Sequence, residues 1–161
     1  MNFSHRIQRF TRTMRATLAL ALAANLTVAL SACSTTVALE SAKDANSPAC
    51  AEVTVRMPDS IDNFAKRTTD AQATAAWGSP TAFILRCGLP EVKVSQLKCV
   101  TASGVDWLVD ESNAPNYRFI SFGRNPATEV MVDSNRVSGA TVLEAVGKGV
   151  DRTPKTASCT G

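Results

Sequence analysis

Histidine is almost missing from this chain. Its 161 residues hold one, His5, near the start. If the first segment is cleaved away, no imidazole remains, which excludes Ser-His-Asp and Cys-His catalysis and histidine metal ligation. No C-x-x-C pair occurs, so a thioredoxin-like redox site is not expected. Neither close Cys/His pairing nor an Asp-x-Asp calcium loop is present, and no metal or other cofactor is implied. A general basic excess is lacking too. Residues 1–32 carry four arginines and no acid, while the rest holds 13 Lys and Arg against 14 Asp and Glu. A near-neutral domain is not built to hold a polyanion, which excludes general nucleic-acid binding.

Apolar runs are short. Ala16–Leu30 has fifteen uncharged residues, mostly Ala and Leu, below the roughly 20 that span a bilayer. Arginines, a short apolar stretch and then small residues form the layout of a secretory signal peptide. No Arg-Arg pair is present, which favours the general secretion route. Leu30-Ser31-Ala32-Cys33 resembles a bacterial lipobox. That resemblance implies a diacylglyceryl group on the Cys33 thiol and cleavage just before it. Two or more acyl chains then hold the protein on the membrane.

Cysteine parity agrees. Five cysteines leave one over, and assigning Cys33 to lipid leaves Cys50, Cys87, Cys99 and Cys159. An even set in an oxidising compartment reads as two disulfides. Four cysteines allow three connectivities. The expected pairs are Cys87–Cys99, closing a short loop at a strand end, and Cys50–Cys159, tying the domain's start to its tail.

Organisation follows: residues 1–32 as lipoprotein signal peptide, 33–46 as membrane-proximal tether, 47–161 as globular domain. Val37-Ala38-Leu39 has an alternative reading as a first edge strand. Ser47-Pro48 is read as the start of a short helix with Cys50, Val53 and Met57 on one face, although Val53, Val55 and Met57 also alternate at strand period. Strands are expected at Thr81–Cys87, Val105–Asp110, Tyr117–Phe122 and Glu129–Val132, each apolar at alternate positions or rich in β-branched residues. Ser138 is placed to cap a last helix with Val142, Leu143, Val146 and Val150 as its stripe. Gly147 and Gly149 weaken that helix. The result is an α+β domain, mostly an antiparallel sheet of about four or five strands with two short helices.

Several segments together resemble a known family. They are Thr74-Ala75-Ala76-Trp77-Gly78, Arg86-Cys87-Gly88, Gly104-Val105-Asp106-Trp107-Leu108-Val109, Gly123-Arg124 and Ser138-Gly139-Ala140-Thr141-Val142-Leu143. The family is domain of unknown function 3515, exported proteins and lipoproteins of high-GC Gram-positive bacteria. The resemblance covers about residues 37–161. It implies an envelope location and carries over no catalytic residue.

Candidate site residues come from the chain itself. Trp77 and Trp107 suit either core packing or stacking on a ligand. Arg86, Arg118 and Arg124 lie in or beside strands, and on one face they would suit carboxylate or phosphate groups. Trp107 with these three arginines is the expected binding surface. Its partner would be an envelope protein or a wall or lipid precursor, met at the outer face of the cell membrane. Asp106, Asp110 and Glu111 offer the carboxylates for the alternative, a cell-wall hydrolase.

Overall fold

The chain from Pro48 to Thr54 (PACAEVT) forms helix α1. Proline stands at its start, where its missing N–H costs nothing, and Cys50 and Val53 are buried. Eight strands follow in the computed structural model, which describes residues 36–159. They are β1 (Ser60–Ile61), β2 (Phe64–Arg67), β3 (Thr74–Trp77), β4 (Phe83–Leu89), β5 (Lys98–Ala102), β6 (Val105–Asp110), β7 (Asn116–Ser121) and β8 (Ala127–Asp133). Helix α2 (Gly139–Val150) closes the order.

All eight strands form one antiparallel sheet in the order β1-β2-β3-β4-β8-β7-β6-β5. The first four make a meander. Residues 90–97 then carry the chain to the opposite edge, and the second meander returns until β8 pairs with β4. The α+β class, the antiparallel sheet and the two helices are as the sequence led us to expect, but eight strands replace four or five. The added strands β1, β2, β3 and β5 are short, small-residued or polar. Ala and Lys are poor strand formers, and here pairing with neighbours decides the conformation.

Helices α1 and α2 touch each other and cover one face of the sheet. Under them lies the main core: Cys50, Val53, Met57, Trp77, Phe83, Leu85, Cys87, Val105, Trp107, Val130, Val142, Leu143, Val146 and Val150 among others. Trp77 stacks on Phe83, with ring centroids 5.1 Å apart, and its indole N–H donates to the Pro58 carbonyl at 3.0 Å. The α2 glycines act by proximity. A Cβ on Gly147 would stand 2.7 Å from the Ser103 Cβ, and one on Gly149 2.5 Å from the Met57 Cε. They let α2 lie close on the β5–β6 hairpin and on the segment after α1. Ser138 occupies the N-cap position without a side-chain cap bond.

The second face is only partly covered. Leu108, Ile120, Phe122 and Ala127 form a smaller cluster there, packed against Val92, Ala157 and Cys159. Residues 37–46 also lie along the domain. Val37 bridges Thr69, and the Asp44 N–H donates to the Gly88 carbonyl at 2.9 Å.

The disulfides are Cys50–Cys87 and Cys99–Cys159, which corrects the expected pairing. The reason is topological. Cys87 faces α1 from β4, whereas Cys99 sits on β5 with its side chain on the opposite face. Four strand spacings separate them, about 19 Å at roughly 4.8 Å each, beyond the roughly 7 Å that a disulfide bridges. The short 87–99 connection crosses from the interior strand β4 to the edge strand β5 and is not a hairpin loop.

Candidate functional site

Register places the site. Arg86 on β4 lies opposite Glu129 on β8, and Arg118 on β7 lies opposite Met131 one strand beyond. All three charged side chains project from the face away from the helices. Glu129 is 2% exposed and holds both arginines. Its Oε1 accepts from Arg86 Nε at 2.6 Å and contacts Nη2 at 2.5 Å, while Oε2 accepts from Arg118 Nε at 2.6 Å. A carboxylate taken out of water needs this pairing, because an unpaired buried charge costs several kcal/mol (about 3–5). The trio keeps one formal positive charge. Arg86 Nη1 also reaches the Glu40 carbonyl at 3.5 Å. Arg118 remains 38% exposed, and no partner for its terminal nitrogens is seen among the described residues.

An open cavity of about 460 Å³ lies beside this trio. Ala38, Leu39 and Glu40 form one wall and Ile84, Arg86, Glu129 and Met131 the other. Asp70 Oδ1 holds the first wall in place by accepting from the Leu39 N–H at 2.8 Å. Arg86 and Glu129 line the cavity, and Arg118 stands opposite its Met131 on β7, so guanidinium groups meet an apolar rim. That combination suits an anionic group carried on an apolar body.

The other expected surface residues are elsewhere. Trp107 is fully buried on the helix-covered face, and its indole N–H has no partner among the described residues. It cannot stack on a ligand from there. Arg124 is 3% exposed in the turn after β7. Its guanidinium donates to the carbonyls of Asp151, Thr153 and Gly104 and to Asp151 Oδ1, at 2.6–2.9 Å. It fastens the C-terminal segment to the sheet. The structure thus brings Arg86 and Arg118 together and leaves Trp107 and Arg124 out. Glu129, the residue that unites the two arginines, lay within a predicted strand but carried no sign of its partners.

The acidic residues do not converge. Asp106 Oδ1 accepts from the Thr101 hydroxyl at 2.7 Å and Oδ2 from the Cys159 N–H at 3.1 Å. Asp110 lies four residues along the same strand, about 13 Å at roughly 3.3 Å per residue. A glycosidase carboxylate pair stands about 5–9.5 Å apart. Hydrogen bonds from the Ser112 side chain and then its backbone N–H hold the Asp110 carboxyl below its ordinary pKa, with help from Arg118. Glu111 lines a different groove. Cys33 and residues 1–32 lie outside the described residues.

Comparison with known proteins finds no curated protein and no solved structure that matches. A family model described as "Protein of unknown function (DUF3515)" matches residues 13–159. With nearly its whole length matched, the chain belongs to that family of uncharacterised proteins.

Proposed function

We propose that this protein is exported, acylated at Cys33 and held on the outer face of the cell membrane as a binding module of the envelope. The order of basic, apolar and small residues before Cys33 supports export and lipidation. Two disulfides among the remaining four cysteines fit an oxidising location. The binding role rests chiefly on one observation: a buried Glu129 holds Arg86 on the wall of an open, half-apolar cavity and Arg118 on the next strand, opposite the cavity's Met131. The ligand class is an anion, carboxylate or phosphate, carried by an envelope protein or by a wall or lipid precursor.

The hydrolase alternative draws no support from the dispersed Asp106, Asp110 and Glu111. The test is a photoreactive amino acid replacing Met131, on the cavity wall, in intact cells. A partner should be captured there and lost when Arg86 and Arg118 are both changed to Ala. Capture that persists unchanged in the double variant contradicts the assignment.

A further inference from the structure

The sheet ends in an open edge at β5. Among the described residues this strand pairs only with β6, and its partner register runs from Lys98 opposite Val109 to Ala102 opposite Val105. The two residues between Ala102 and Val105 both have positive φ, 47° at Ser103 and 76° at Gly104. That is a two-residue type I′ hairpin, which makes Ala102 and Val105 a hydrogen-bonded pair. Alternation then makes Val100 and Lys98 hydrogen-bonded partners of β6 as well. The backbone N–H and C=O groups of Cys99 and Thr101 therefore point outward, away from β6, with no partner seen among the described residues.

Grooves flank this edge on both faces. On the helix side is a cavity of about 620 Å³, with Val100, Val109, Tyr117 and Phe119 on its floor and the first turns of α2 as its wall. On the other side a cavity of about 630 Å³ lies along Val94, Leu97, Leu108 and Phe122. Val94 is 84% exposed and Leu97 39%, two of the four exposed large apolar side chains among the described residues. The rim of the helix-side groove bears Glu111 and Glu144 against a single cation, Lys98.

We infer that β5 is a docking edge for an extended segment of a partner polypeptide, added as a ninth strand. Main-chain groups of Cys99 and Thr101 supply the pairing. Apolar side chains at every second position enter the groove beside α2, where an added strand's alternation would place them. Lys or Arg side chains on that same face, two residues beyond the apolar set at either end, meet Glu111 and Glu144. This site is separate from the arginine cavity and does not depend on the ligand assigned there.

The test selects a displayed library of random ten-residue peptides on the full chain in lipid nanodiscs. The selected peptides are then synthesised, and binding and hydrogen exchange are followed by mass spectrometry. Recovered sequences should alternate, with apolar residues at every second position and Lys or Arg two residues beyond them on the same face. They should slow exchange in residues 98–102. Thr101→Pro removes one outward N–H and leaves the backbone ladder to β6 intact, losing besides only the Thr101 hydroxyl's bond to Asp106; Ala140→Trp fills the groove from the exposed side of α2. Each should weaken binding about tenfold or more, the order of one lost hydrogen bond or filled contact, while the four cysteines stay oxidised. Three outcomes overturn the inference: no selected binder, binding that protects another region or ignores both variants, or a β5-to-β5 dimer occupying the edge without peptide.

Discussion

Glu129 is the side chain on which the open face depends. It is 2% exposed, with an arginine on each oxygen. Glu129→Gln should lower stability by about 2 kcal/mol, less than for a fully buried pair because both arginines keep solvent contact; urea unfolding measures it. Arg124 is different in kind, since its charge is fully enclosed. Arg124→Met should cost about 3 kcal/mol by leaving three carbonyls and Asp151 without their donor. It should also make residues 152–159 exchange amide hydrogen faster. Asp110 gives a pH signature. Its folded pKa lies below the unfolded value of about 3.9. Its contribution is therefore present above pH about 4 and withdrawn as pH falls through the depressed value. Asp110→Asn should lower stability slightly at neutral pH, converge with the parent protein below the depressed pKa, and so flatten that acid limb of the stability curve. At this scale the sequence identified Arg86 and Arg118 as strand arginines. Which face they shared depended on register, and Glu129 became their centre only when β8 closed against β4.

Elements carry the next level. Strands β4, β6, β7 and β8 show strong alternation or β-branched content, and each was legible from composition alone. Strand β3, Thr-Ala-Ala-Trp, and strand β5, Lys-Cys-Val-Thr-Ala, have too little apolar contrast to announce themselves. Both helices were legible because a proline start or a 3.6-residue stripe marked them. The disulfide pairing was not, because it depends on a crossing of the sheet that no local pattern encodes. Each bridge closes a long loop, 37 and 60 residues in separation, worth about 4 kcal/mol on the chain-entropy model. The two should differ in what they release. Replacing Cys99 and Cys159 with Ser should free the tail over Leu108 and Phe122 and raise exchange there. Replacing Cys50 and Cys87 should loosen α1 over the main core. Gly123 sits at φ 57° with its α-carbon against Ala157, and an added Cβ would collide with the Ala157 carbonyl. Gly123→Ala should therefore displace the same tail, read by hydrogen exchange of residues 152–159.

For the whole molecule, the described domain is an antiparallel sheet covered by helices on one face and only in part on the other, with β1 and β5 as its edge strands. The proposed setting accounts for both its sulfur chemistry and its leader: export, acylation at Cys33, and oxidation of the other four cysteines. The most direct test is intact-mass analysis of the protein purified from membranes, before and after alkylation without reductant. The account predicts a chain starting at Cys33, heavier by its acyl groups, with no cysteine alkylated until reductant is added. A 161-residue chain with its leader intact and five alkylatable thiols would contradict it.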